Sequence, residues 1–143
     1  MKKDHLNSTD FNLWHTIREE TEAAAAAEPM LASFLHQTVL RHDSLDSVLA
    51  YHLSSKLGSP IMEVRALFVI YQLALCVDNR IRKCVEDALK AIYERDPACD
   101  EYSLPLLYFK GFHAVQAHRI NHWLYQNGRK TLAYFLQNRM SEV

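Results

Sequence analysis

Glycine and proline are scarce in this 143-residue chain, with three and four occurrences, so the turn residues that a hairpin-rich sheet protein needs are missing. Leu, Ala, Glu, Lys and Gln are plentiful instead, a balance that favours helix. Cysteine is as sparse. Cys76, Cys84 and Cys99 are odd in number and form no C-x-x-C pair, which argues against a disulfide framework and a thiolate zinc site and points to a reducing compartment. Net charge is almost absent, 16 Lys plus Arg against 17 Asp plus Glu, so no long-range field gathers nucleic-acid phosphates or anionic lipids. No uninterrupted apolar run reaches the length of a bilayer span. Residues 1–10 carry Lys2 and Lys3 but turn polar through Asn7, Ser8 and Thr9, without the apolar centre of a signal peptide. These absences predict a cytoplasmic, all-α, compact multi-helix domain of about six to eight helices over residues 11–143, behind a tail at 1–10, with no nucleic-acid or membrane partner.

The helices are read from their punctuation. Asp10 is the expected N-cap of a first helix carrying Leu13, Trp14 and Ile17, which runs through the alanines at 23–27 until Pro29 forces a break; the alanine run is narrow enough for close packing. Pro29 suits the first turn of a second helix with Met30, Phe34, Leu35, Thr38 and Val39 as its core stripe. Asp43 or Ser44 caps a third helix bearing Leu45, Val48, Leu49 and His52, closed by Gly58 and Pro60. From Ile61 to Leu75 the residues are almost continuously apolar, which predicts a buried helix. Asp78 and Asn79 start a helix that buries Ile81, Cys84, Val85, Leu89 and Ile92 and ends near Arg95, because Pro97 pushes Asp96 out of helical geometry. Ser103 is the expected cap of one long helix reaching Gln126, stopped by Asn127 and Gly128, and a last helix runs from Lys130 to about Met140.

Few residues advertise chemistry. His118 and His122 lie four apart on one helix face, as two zinc ligands would, but Arg119, Ile120 and Asn121 between them lack the metalloprotease glutamate and no third ligand is indicated. The three cysteines have no base nearby in sequence and read as small buried apolar residues. No G-x-S-x-G elbow, phosphate-cradling loop or dinucleotide fingerprint occurs. After residue 103, Lys110, Arg119, Arg129, Lys130 and Arg139 alternate with aromatics such as Phe112, Trp123 and Tyr134. At helical spacing that pattern means an aromatic core face and a solvated charged face before it means a single-strand binding groove. Charge clusters at Glu94-Arg95-Asp96-Pro97-Ala98-Cys99-Asp100, where Asp96 either caps backbone N–H groups in a turn or holds the ammonium or hydroxyl of a small substrate.

Four stretches, Glu28-Pro29-Met30-Leu31-Ala32-Ser33-Phe34, Ser59-Pro60-Ile61-Met62, Arg95-Asp96-Pro97-Ala98 and the block YSLPLLYFKGFHAVQAHRINHWLYQNGR from Tyr102 to Arg129, together resemble serine O-acetyltransferase. The likeness runs from about Phe11 to Val143 in one colinear order, with Asn121 where a small residue is expected and only helical character shared from Val64 to Cys84. The resemblance implies a helical N-terminal domain followed by a left-handed parallel β-helix of hexapeptide repeats, with acetyl-CoA as co-substrate bound between β-helices of neighbouring subunits. It implies that the catalytic histidine and its aspartate, and the arginine and histidine that hold the serine carboxylate, lie beyond Val143, so that no catalytic, cofactor or metal residue is expected in this chain and the chain is expected to be inactive alone. Asp96 matches the aspartate that contacts serine and, in feedback inhibition, cysteine. The resemblance further implies a homo-oligomer, a hexamer built as a dimer of trimers through these helices, and a cysteine synthase partner bound through the family's extreme C-terminus. The competing expectation from another class is a purely structural oligomerisation module in which Asp96 only ends a helix.

Overall fold

The computed structural model describes residues 11–143, and all regular structure among them is helical. The expected tail at 1–10, with the Asp10 cap, lies outside the described residues. The order is α1 (Leu13–Ala27), a 3-10 turn (Pro29–Leu31), α2 (Ala32–Leu35), a π-helical segment (His36–Leu40), α3 (Leu45–Leu57), α4 (Val64–Val77), α5 (Asn79–Arg95), α6 (Ser103–Tyr108), α7 (Lys110–Gln126) and α8 (Lys130–Glu142). Helix α3 packs along α4 and α7 along α8, and one core of leucines, including Leu49, Leu53, Leu67, Leu89 and Leu124, is shared by these elements.

The local signals act largely as their chemistry requires. Asn12 caps α1, its side chain accepting from His15 N–H. Ser44 caps α3 through Ser47 N–H, and Asp78 caps α5 through Arg80 N–H. After Gln126 the Arg129 N–H returns to Leu124 carbonyl around Gly128, whose φ of 81° lies in the left-handed region that glycine enters without penalty. Gly58 serves space instead of torsion. A Cβ there would stand 2.5 Å from Val64 Cγ2, so the α3–α4 turn closes only around a bare backbone.

Several expectations fail for identifiable reasons. Met30 is 91 % exposed and Phe34 is also at the surface, because the chain winds as a tight 3-10 turn, then as α, then as a wide π segment. That sequence of pitches breaks the helical spacing and leaves only Leu35, Thr38 and Val39 inward. The alanine run faces outward: α1 buries Leu13, Ile17 and Thr21, whereas Ala23, Ala24, Ala26 and Ala27 are exposed. The apolar stretch from Ile61 is not buried throughout. Helix begins only at Val64, and Val69 (61 % exposed) and Leu73 (52 %) line an outer face opposite Leu67, Tyr71 and Ala74.

The expected single helix from Ser103 to Gln126 is two helices, interrupted at Phe109, whose ψ of 105° is extended. Ser103 is not the cap but the first residue of α6. In a continuous helix Lys110 and Gly111 N–H would bond to the carbonyls of Leu106 and Leu107. The interruption orphans those carbonyls, and two buried histidines take them: His113 Nε2 donates to Leu106 at 2.7 Å and His52 Nε2 to Leu107 at 2.9 Å. The two rings meet edge to face at 5.0 Å. In the same manner Arg139 of α8 donates to the carbonyls of Leu57 and Gly58 that end α3.

Burial holds His52 down at about 4, against an ordinary 6.5, despite the Leu107 hydrogen bond that favours its charged form. The stability that His52 contributes is therefore full above pH 6.5 and is lost as pH falls toward 4. Chemical denaturation is expected to show the parent chain losing about 2 kcal/mol more than His52→Gln between about pH 7 and pH 4.5. Parallel pH profiles for the two proteins would remove this role.

Candidate functional site

Asp96 ends α5. Its backbone is extended (φ −95°, ψ 111°), as the following Pro97 demands, and its N–H still closes the helix onto Ile92 carbonyl at 3.0 Å. Its Oδ1 accepts Ala98 N–H at 2.9 Å and its carbonyl accepts Cys99 N–H at 3.0 Å, so both the side chain and the backbone of Asp96 build the tight turn to α6. The residue is half-buried, the geometry of a carboxylate fixed in direction yet within reach of solvent. Cys99 is buried and donates its thiol to Glu101 carbonyl, which fits a packing role.

The turn is anchored from outside itself. Glu20 of α1 accepts Tyr102 N–H at Oε2 (3.1 Å) and Ser103 N–H at Oε1 (2.9 Å), a side-chain cap delivered across 83 positions to the start of α6. Burial lifts the Glu20 carboxyl above its ordinary value, with Glu101 acting in the same direction, and these outweigh the two amide hydrogen bonds that favour the ionised form. Tyr102 stacks on Tyr93 of α5 with centroids 4.0 Å apart and planes 13° from parallel, so the turn's two flanks are clasped. Burial and the surrounding acidic groups push the Tyr102 phenol up to about 12, and it stays neutral at physiological pH. Between α1 and this turn lies an open acidic groove of about 590 Å3, lined by Glu19, Glu20, Ala23, Ala27, Asp100 and Glu101 among others. Asp96 is not part of that lining.

The other candidates stay apart from the turn. His118 and His122 share the exposed side of α7 with ring centroids 6.5 Å apart, and among the described residues they join no group of three or more metal-ligating side chains. Cys76 is exposed on α4 and Cys84 half-buried on α5. The aromatic stretch is divided: Phe112 is core, while Tyr125 and Tyr134 pack edge to face at the surface, with Lys130 Nζ within 5.8 Å of both rings. Sequence reasoning missed Glu20, and nothing in its local sequence marks it, because its partners lie 82 and 83 positions away. Asn121 departs from the expected small residue to accept the buried Tyr71 hydroxyl at 2.8 Å and to donate to Met140 sulfur.

Fold and site together define an all-helical domain that presents an anchored carboxylate at an inter-helix turn. Residues 13–117 match the family described as serine acetyltransferase, N-terminal. The serine acetyltransferase of Salmonella typhimurium is 49% identical over 129 residues, which is 90% of this chain and 47% of that protein. A Neisseria gonorrhoeae serine acetyltransferase solved in complex with serine is 84% identical, with a TM-score of 0.94 over 99% of this chain and 58% of that one. A serine acetyltransferase solved in complex with cysteine is 45% identical, with a TM-score of 0.87 over 90% of this chain and 54% of that one. The chain belongs to the serine acetyltransferase family, in its helical N-terminal part. It spans about half the length of the curated relatives it matches. None of its described helices is long and apolar enough to cross a membrane.

Replacing Glu20 with Ala leaves two helix-start N–H groups without their acceptor. Thermal or denaturant unfolding is expected to show a loss of about 1–3 kcal/mol, with Glu20→Gln intermediate because its amide keeps one acceptor oxygen. An unchanged midpoint for Glu20→Ala would show that the turn does not depend on this cap.

Proposed function

We propose that residues 11–143 form the N-terminal domain of a serine O-acetyltransferase, which moves the acetyl group of acetyl-CoA to the hydroxyl of L-serine in cysteine biosynthesis. The observation that carries the reading is the Asp96 turn: a carboxylate held by its own Asx hydrogen bond, in an Arg-Asp-Pro segment of a chain similar to an enzyme solved with serine. At pH 7 an ionised aspartate pairs with an amino-acid ammonium, which orients serine without taking part in bond making. In the reaction the serine oxygen bonds to the acetyl carbon, the carbon–sulfur bond of the thioester breaks, and the hydroxyl proton passes through a base to the departing thiolate. That base and the acetyl-CoA site belong to the region after Val143, so the chain by itself is expected to be inactive. The cysteine bound in a 45% identical relative has the same ammonium group, which supports Asp96 as a shared contact for substrate and feedback inhibitor.

The second contribution we infer is assembly. Ala26, Met30 and Leu31 are exposed apolar residues outside the lining of the acidic groove, a surface suited to a second copy and hence to a homo-oligomer, with a hexamer of two trimers as the family's arrangement. If assembly were the whole function, Asp96 would only end α5. A cytoplasmic location and a cysteine synthase partner, the latter through a C-terminus outside this chain, complete the reading.

Release of free CoA from acetyl-CoA and serine tests it, using a protein in which this chain continues past Val143. Asp96→Asn keeps an acceptor for Ala98 N–H but loses the charge, and is expected to lower kcat/KM for serine by about 10–100-fold while the KM for acetyl-CoA holds. Equal serine kinetics in the parent and Asp96→Asn would leave the domain as an assembly module alone.

A further inference from the structure

Helix α4 carries an apolar stripe on its outer side. Val69, Leu73 and Val77 are each more than half exposed and recur every fourth residue, with Ala66 and Cys76 exposed beside them, so they form one ridge. No charged side chain interrupts the helix between Arg65 and Asp78. A surface helix ordinarily turns polar and charged side chains to water on this side, so the stripe is a face suited to burial. The inner side of α4 is already occupied. Leu67, Tyr71, Ala74 and Leu75 are buried there, and the Tyr71 hydroxyl donates to Asn121 of α7, which itself reaches Met140 of α8. The stripe lies opposite this contact, so it looks away from α7 and from α8, the helix that leads to Val143.

The charges at the two ends of the stripe are complementary to each other. Glu63 and Arg65 stand exposed at its start and make no ion pair among the described residues. Asp78 and Arg80 stand at its finish, paired at 3.3 Å, with the Arg80 side chain 89% exposed. Two copies of α4 packed antiparallel bring start to finish: Arg65 of one meets Asp78 of the other and Glu63 meets Arg80, each twice about a two-fold axis. The pairs Glu63–Arg80, Arg65–Asp78 and Val69–Leu73 are centred on Tyr71 or between it and Gln72, so one axis serves all three. A parallel pair would instead set Arg65 against Arg65 and Glu63 against Glu63, which is repulsive.

We propose that the outer face of α4 binds a second copy of this chain, antiparallel across a two-fold axis, with Val69 and Leu73 at the centre and the four charges at the rim. The pairing deepens the assembly reading by naming a face and an orientation. It is separate from the surface of Ala26, Met30 and Leu31, and each can fail without the other. One helix pair is a small interface, so the affinity is modest.

The test is analytical ultracentrifugation of the full 143-residue chain from about 10 µM to about 0.5 mM. A twofold association with a Kd of about 10–100 µM is expected. Leu73→Glu places a good helix former at an exposed position, and is expected to raise that Kd more than about tenfold while the melting temperature at low concentration holds. Glu63→Arg and Arg80→Glu are each expected to raise it about threefold to tenfold. The chain with both changes is expected to return within about twofold of the parent, because each reversed charge then meets its reversed partner. Met30→Glu is expected to leave this step in place. A chain monomeric throughout, a Kd indifferent to Leu73→Glu, or a double variant weaker than both singles would each overturn the pairing. Association lost in Met30→Glu and kept in Leu73→Glu would overturn it while leaving the assembly reading intact.

Discussion

Six residues, Ser103–Tyr108, form a helix that buries Ser103, Pro105, Leu106 and Leu107, and the rest of the domain is arranged around satisfying their backbone groups. Buried backbone groups without partners are costly, and a helix this short leaves most of its N–H and C=O groups without an internal partner. Glu20 from α1 takes two N–H groups at the start, His113 from α7 and His52 from α3 take two carbonyls at the end, and Pro105 removes a donor that would otherwise need one. Three other helices are thereby tied to one segment by hydrogen bonds that fix angle as well as distance. Apolar packing alone would allow those helices to slide by fractions of a turn.

The functional consequence follows from where α6 sits. Asp96 lies in the turn that leads into it, and that turn is held at one side by α5 through Ile92 carbonyl and at the other by Glu20 on Tyr102 and Ser103. The Tyr93–Tyr102 stack closes the remaining freedom. A carboxylate on a loop is thus given the rigidity of the core, which is what a substrate contact requires if its partner groups come from elsewhere in a longer protein.

Much of the fold was legible because helix ends carry local chemistry. Pro29, Ser44, Gly58 with Pro60, Asp78, Pro97 and Asn127-Gly128 each mark a boundary within a residue or two, since a cap or a breaker acts on its immediate neighbours. The interruption at Phe109 was not legible, for no proline or positive-φ glycine causes it. It depends on His52, which is 55 positions from the carbonyl it serves, just as the start of the same helix depends on a glutamate 83 positions from Ser103. Side-chain facing was misread where the pitch changes, at Met30, and where an apolar stretch has an outer face, at Val69 and Leu73. The residues alone left Asp96 open between a turn cap and a ligand contact, and the resemblance chose the contact. Its turn chemistry is ordinary, and charge at a helix end does not distinguish a cap from a ligand contact.

The position of Asp96 relative to bound L-serine separates a substrate contact from a bare turn residue. A crystal structure of a protein in which this chain continues past Val143, grown with L-serine, measures it directly. The serine ammonium nitrogen is expected within about 2.7–3.2 Å of an Asp96 carboxylate oxygen, with Oδ1 still on Ala98 N–H. Serine bound in the same enzyme with its ammonium held by other groups, and Asp96 turned to solvent, would contradict the account.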